Sequence, residues 1–308
     1  MTTDLHTLLR DAAAQLAQAG VPTPRVDAEL LAGHVLSLSR GEVQIKGLTG
    51  SIIDEAAAGE LEVLVAERAR RVPLQHLTGT APFRTLELRV GPGAFIPRPE
   101  TETVVDVVLA EIDRIVSQGA ASARIVDLGT GTGAIAAAVA AERPQCEVHA
   151  VEVSADAAAW AELNFARLPE GSAGVTLHQQ DLRDFAEGGF DVVVSNPPYI
   201  PSSMVPADPE VHAYDPETAL YGGGEDGLEL PRAVISTAER VLVPGGLLIL
   251  EHAEVQAEEL RRICSAAPDL DDVCTHEDFT GRPRATSARH RPGANAQEPG
   301  DGMEEYRA

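Results

Sequence analysis

The segment Ile125-Val126-Asp127-Leu128-Gly129-Thr130-Gly131-Thr132-Gly133-Ala134 constrains this chain more than any other. A short apolar run passes directly into a glycine-rich turn and then into an alanine-rich stretch, which reads as buried strand, tight turn and helix. Glycine permits the turn and lets a ligand approach the backbone. The same alternation continues on both sides. It predicts helix Val104–Val116, strand Arg124–Leu128, helix Ala134–Glu142, strand Glu147–Glu152, helix Ala155–Arg167 and a short strand Val175–His178. Strand Phe190–Ser195, helix Leu228–Val241, strand Gly246–Glu251 and two strand-like pieces near Asp272–Glu277 and Arg284–His290 follow. Alternating β and α elements imply an α/β fold, with a mostly parallel sheet covered by helices on both faces.

The first part of the chain has a different period. Three amphipathic segments are predicted: Leu5–Ala19, one opening at Thr23-Pro24 as an N-cap followed by proline at N1, and Ile52–Arg71. Residues 1–75 are therefore expected to form a small helical domain without a sheet strand, docked beside the α/β domain and serving as a stabilising cap or a substrate-docking module. Val72–Pro99 has strand-type alternation at Leu86, Leu88 and Val90 and a Gly-Pro-Gly turn at Gly91–Gly93. It divides the chain into the helical domain, an interdomain linker or β-hairpin over 76–100, an α/β domain over 101–290, and a polar tail over 291–308 expected to be disordered.

Composition narrows the class. The formal net charge of −24 argues against a protein whose main task is to grip a phosphate backbone, so no tight nucleic-acid binding is expected. No apolar run is long enough for a membrane span, and the start has neither a basic n-region nor an apolar h-region. Cys146, Cys264 and Cys274 are few and scattered, forming neither a metal motif nor a disulfide framework, which suits the cytoplasm.

Three acids follow the predicted strand ends in order. Asp127 precedes the glycine turn. Glu152 ends the next strand, about 20 residues on, where a carboxylate can accept hydrogen bonds from ribose hydroxyls. Asp181 follows the third strand, where it can read an adenine amino group or simply cap a turn. These features fit a nicotinamide dinucleotide as well as S-adenosylmethionine, since Gly129, Gly131 and Ala134 also satisfy G-x-G-x-x-G/A.

Strand Phe190–Ser195 resolves the ambiguity by running into Asn196-Pro197-Pro198-Tyr199. An amide nitrogen is a poor nucleophile because its lone pair is delocalised into the carbonyl. The Asn196 side-chain oxygen can accept one of its N–H groups and the Pro197 carbonyl the other. Together they aim the lone pair and stabilise positive charge growing on nitrogen. Tyr199 offers a flat face for the planar group. A nicotinamide enzyme has no use for this arrangement.

With both ends in view, the chain resembles the HemK/PrmC family of N5-glutamine methyltransferases, which modify the Gly-Gly-Gln glutamine of peptide chain release factors. The likeness runs through Pro73-Leu74-Gln75-His76-Leu77-Thr78-Gly79, Phe95-Ile96-Pro97-Arg98-Pro99-Glu100-Thr101-Glu102, Gly246–His252 and Gly281-Arg282-Pro283-Arg284. It implies a Rossmann-like class I methyltransferase domain with a mostly parallel seven-stranded sheet, plus the N-terminal helical domain. It also implies S-adenosylmethionine as cofactor, no metal, and class-one release factors as partners. By this resemblance Asp127, Leu128, Gly129, Thr130, Gly131, Glu152, Leu182 and Asn196 would bind the cofactor, joined by Asp181 from its place after the third strand, while Asn196, Pro197, Pro198 and Tyr199 would hold the glutamine. Arg98 and Glu100 would pair across the domains or touch ligand. The sequence departs from the family at Asp215-Pro216-Glu217-Thr218-Ala219-Leu220, and at Leu182, where some members carry an aromatic ring.

Three rivals stand beside this reading. An N6-adenine methyltransferase uses the same Asn-Pro-Pro-aromatic turn on a flipped base. A glutamine methyltransferase of a ribosomal protein shares the catalytic residues. A binding module would retain the fold without turnover.

Overall fold

The computed structural model describes residues 3–206 and 208–292, so the tail expected to be disordered lies almost wholly outside the described residues. In chain order the elements are β1 (Thr3–Asp4), α1 (Leu5–Gln18), α2 (Pro24–Leu36), α3 (Arg40–Leu48), β2 (Ile52–Ile53), α4 (Glu55–Ala69), α5 (Leu74–Thr78), β3 (Thr80–Phe83) and β4 (Leu86–Arg89). Then come α6 (Glu102–Ser117), β5 (Arg124–Leu128), α7 (Ala134–Glu142), β6 (Glu147–Glu152), α8 (Ala155–Phe165), β7 (Val175–Gln179), β8 (Phe190–Ser195), α9 (Pro209–Tyr214) and α10 (Glu217–Leu220). α11 (Glu229–Val241), β9 (Leu242–Glu251), α12 (Ala257–Ala266), β10 (Leu270–Glu277) and β11 (Pro283–His290) complete the chain.

These elements fall into two compact units, Met1–Pro97 with Ser203–Leu220, and Arg98–Ser202 with Tyr221–Ala308. Two expectations change. The β3–β4 hairpin groups with the N-terminal helices; its own turn lies at Arg84-Thr85, with Arg84 at positive φ, and the expected turn at Gly91–Gly93 follows it, with Pro92 and Gly93 in a turn. Ser203–Leu220, predicted to be part of the α/β domain, belongs to the helical unit, and ion pairs fasten it there. Buried Arg68 donates to Asp27 Oδ2 at 2.7 Å and to Glu210 Oε1 at 2.8 Å, and Arg71 donates to the same Glu210 oxygen at 2.7 Å.

Within the helical unit, Leu16, Leu31, Ala32, Val43, Leu61 and Val65 share one apolar core. α1 is capped by Asp4, whose carboxylate accepts from Thr7 N–H, and α4 by Asp54, which accepts from Ala57 N–H. Pro24 does stand at N1 of α2, but the Thr23 side chain does not cap it and donates instead to Asp27. The expectation of no strand in residues 1–75 is wrong as stated, because Thr3–Asp4 and Ile52–Ile53 form a two-residue antiparallel pair. A fourth long helix, α3, was also unforeseen.

The second unit carries a seven-stranded sheet in the order β10-β11-β9-β8-β5-β6-β7. β9, β8, β5, β6 and β7 run parallel, and β10 and β11 add an antiparallel edge. Val126, Leu128, Val193, Leu248 and Leu250 belong to a core shared with α11 and α12. The seven expected strands are present, with β9 extended back to Leu242. α12 was not anticipated; it buries Leu260 and Cys264, one helical turn apart. Register puts the ends of β5, β8 and β9 side by side, with Asp127 opposite Val194 and Ser195 opposite Leu250. In parallel α/β sheets this carboxyl edge is where ligands bind.

Candidate active site

The turn after β5 is built on backbone hydrogen bonds. Gly129 and Thr130 N–H both donate to the Val151 carbonyl, at 2.8 and 3.0 Å, closing the turn against the end of β6. Gly129, Gly131 and Gly133 all have positive φ, which side-chain-bearing residues rarely adopt. Their surroundings differ. A Cβ on Gly129 or Gly131 would meet nothing within 4 Å, whereas one on Gly133 would strike the Phe165 ring at 2.6 Å. The first two glycines leave an open cradle, and the third permits close packing of α8.

Two acids brace the cradle. Glu152 accepts Gly131 N–H on Oε2 and Ser154 N–H on Oε1, both at 2.8 Å, so its carboxylate is held by the backbone of two loops. Asp127 is buried and accepts from Thr130 Oγ1 at 2.5 Å and Ala136 N–H at 3.3 Å. Its other oxygen has no partner among the described residues. Burial, reinforced by the Glu152 charge, pushes the Asp127 carboxyl up to about 7 despite those hydrogen bonds. Asp181 sits in a local turn, accepting Arg183 N–H at 2.8 Å, as a capping residue does. Leu182 packs on the apolar core, and its carbonyl accepts from Thr237 Oγ1.

The turn after β8 is held differently. Buried Ser195 donates to the Leu128 carbonyl at 2.5 Å, tying it to the glycine turn. Asn196 Nδ2 donates to Thr101 Oγ1 at 3.2 Å. Gln256 Nε2 donates to the carbonyls of Tyr199 at 2.8 Å and Asp226 at 3.1 Å, clamping the exit of the turn. Gly222 and Gly227 pack on it so closely that a Cβ on either would collide with the Pro198 or Tyr199 backbone. Pro197 is buried, and Pro198 and Tyr199 are half-buried. Burial, with the nearby Glu251 charge, pushes the Tyr199 hydroxyl up to about 12, so it stays protonated. Arg98 and Glu100 act electrostatically on this same tyrosine.

Sequence reasoning missed Thr101, Gln256, Gly222, Gly227 and Glu251. A signal existed for two of them: Tyr221-Gly222-Gly223-Gly224-Glu225-Asp226-Gly227 is a conspicuous glycine run. No metal was expected. Among the described residues one cluster, His149, His178 and Glu187, has ligand-type atoms in proximity, but the Arg124 guanidinium pairs with Glu187 there and opposes a cation.

An open glycine cradle, a backbone-held Glu152, an unpartnered buried Asp127 oxygen and an Asn-Pro-Pro-Tyr turn on the carboxyl edge of this sheet fit S-adenosylmethionine. Fold and site together define a class I S-adenosylmethionine-dependent methyltransferase.

Relatives narrow the class. Residues 7–79 match the PrmC N-terminal domain, and residues 106–206 match the methyltransferase small domain. A release factor glutamine methyltransferase of Streptomyces coelicolor is 45% identical over 89% of this chain and 94% of its own. The enzyme so named in Mycolicibacterium smegmatis is 43% identical over 93% and 98%, and that of Deinococcus radiodurans 40% identical over 94% and 99%. The chain belongs to the release factor glutamine methyltransferase family. No helix among the described residues is long and apolar enough to cross a membrane.

Proposed function

We propose that this enzyme methylates the side-chain amide nitrogen of the glutamine in the Gly-Gly-Gln motif of class-one peptide chain release factors, in the cytoplasm. Asp127, Leu128, Gly129, Thr130, Gly131 and Glu152 hold the cofactor, with Asp181 and Leu182 bordering its adenine end and Asn196 its reactive end. When bound, S-adenosylmethionine supplies a methyl group activated by attachment to a sulfonium. The helical unit, with Ile45 and Leu48 exposed, is the docking module for the protein substrate.

One observation carries this reading: the Asn196 amide has its donor side committed to Thr101. Its Oδ1 is therefore the atom presented to a substrate N–H. The Pro197 carbonyl takes the second N–H, and Tyr199 covers the plane of the amide. Held this way, the nitrogen lone pair would face the methyl group: the N–C bond forms as the C–S bond of the sulfonium breaks to leave a neutral thioether, and nitrogen gives up one proton to solvent water. The protonated Tyr199 hydroxyl is no base, consistent with catalysis by orientation and electrostatics. The net charge of −24 speaks against nucleic acid as the substrate.

The test is incubation with methyl-labelled cofactor and, separately, a release factor, ribosomal proteins and DNA. Label confined to the Gly-Gly-Gln glutamine is the expected result. Label in a ribosomal protein or in adenine, with none in the release factor, overturns the assignment.

A further inference from the structure

The sequence stretch Gly246–His252 carries the resemblance described above, yet the chemistry so far gives it no task. Its acid, Glu251, is the last residue of β9. β8 and β9 are parallel, with Ser195 opposite Leu250, so Asn196 and Glu251 are the next residues on neighbouring strands at the carboxyl edge. Glu251 is 2% exposed, and its Oε2 has no hydrogen-bond partner among the described residues. Burying a carboxylate costs several kcal/mol by general estimates, so its presence here needs a reason.

The reason lies in what a carboxylate cannot do. Burial pushes this carboxyl up to about 7, and once ionised above that it accepts hydrogen bonds and donates none. Thr101 and Asn196 both lie beside Glu251 and favour its ionised form, as groups that turn donors toward a carboxylate do. The Thr101 proton is then spent on Glu251, and Thr101 Oγ1 can only accept from Asn196, as it does from Nδ2 at 3.2 Å. Every hydrogen bond in the group thus runs one way, from the amide toward the acid. An Asn side chain has two nearly isosteric orientations, and only one places Oδ1 toward the substrate.

We propose that Glu251, acting with Thr101, is the positioning residue of this site: buried beside Asn196 and acceptor-only in its ionised form, it holds the asparagine amide with its donors inward and its oxygen outward. Asn196 flipped would present N–H to an N–H of the substrate glutamine, and the amide could not be aimed. This rests on the reading of Asn196–Tyr199 as the glutamine-holding turn.

Single-turnover methylation of a Gly-Gly-Gln release-factor domain tests it, with calorimetry of cofactor binding and thermal melting alongside. Glu251→Gln keeps the shape but adds a donor facing Asn196, so the rate should fall about a hundredfold while cofactor affinity changes less than about threefold. The decisive variant is the exchange, Glu251→Gln with Asn196→Asp. There the new amide donates to the new carboxylate, and an oxygen again faces the substrate. The exchanged enzyme should be at least about tenfold faster than either single variant, a rescue that a merely structural role would not give. If Glu251→Gln does not fold, Thr101→Val and Thr101→Ser replace it: valine, lacking the hydroxyl, should slow transfer about tenfold and serine should not. A Glu251→Gln enzyme within threefold of the parental rate, or an exchange no faster than the better single variant, overturns the inference. Failure of the parental enzyme to methylate the release-factor domain would instead overturn the reading it rests on.

Discussion

The glycine turn after β5 and the Asn-Pro-Pro-Tyr turn after β8 follow adjacent strands and are joined by the Ser195–Leu128 hydrogen bond, yet they are held by different chemistry. The first is fixed by main-chain N–H groups that donate to the Val151 carbonyl and to the Glu152 and Asp127 carboxylates. The second is fixed by side chains of distant origin, Thr101 and Gln256. A loop whose amides are shared among a main-chain carbonyl and two carboxylates keeps its Val151 anchor when one side chain changes, and it suits a cofactor bound by many small contacts. A side-chain-built turn depends on each member, and it suits a step in which one nitrogen must be aimed. Single substitutions should therefore affect chemistry at the β8 end and affinity at the β5 end.

The largest effect should come from Asn196→Ala. Removing the oxygen that orients the amide should lower single-turnover methyl transfer about a thousandfold or more, while circular dichroism shows an intact fold. A well-folded variant near the parental rate would make the β8 turn structural and erase the contrast.

Glu152→Ala comes next and should appear in binding. Losing charge-assisted hydrogen bonds should weaken S-adenosylmethionine by roughly 2–4 kcal/mol, measured by calorimetry, with Glu152→Asp losing less. Because Glu152 also accepts Gly131 and Ser154 N–H, part of the loss would be loop geometry. Unchanged affinity in the alanine variant removes Glu152 from the cofactor site.

Gln256→Ala sharpens the side-chain half. It leaves two carbonyls without their donor and should cost about 1–3 kcal/mol of stability in denaturant melts. Turnover should fall further than cofactor affinity does. Equal losses in both would mean the two turns are not independently held.

The smallest effect at any one pH step concerns the buried acids. Asp127 and Glu251 are both pushed up to about 7 by burial. A carboxyl raised above its unfolded value contributes stability that is full below about 4 and lost as pH rises through about 7. Stability without cofactor should therefore decline between about pH 4 and 7, each group adding a slope of at most about 1.4 kcal/mol per pH unit. Asp127→Asn should remove about half of that decline. An unaltered pH profile would mean that Asp127 is not buried as an acid.

Much of this was legible in the sequence, and the misses have physical causes. Strands β5, β6 and β8 could be read because burial on both faces demands mostly apolar residues, as in Ile125-Val126, Ala150-Val151 and Val192–Val194. α3 was missed although Ser39 and Glu42 form a capping box, a signal that was present and unused. α12 has little apolar content beyond Leu260, Ile263 and Cys264, so its period was faint. Ser203–Leu220 gave no hint of its unit, because Glu210 meets Arg68 and Arg71 only through the fold.

By itself the sequence determined the α/β class, the glycine turn and the Asn-Pro-Pro-Tyr segment, because each is a local pattern whose spacing is dictated by backbone geometry. The tertiary structure alone decided which groups hold that segment. Thr101 lies 95 residues before Asn196, and Gln256 57 residues after Tyr199. Glu251 comes beside Asn196 only through the register of two parallel strands joined by a long crossover. Parallel pairing brings together residues that are remote along the chain, and no local periodicity encodes which of them will meet.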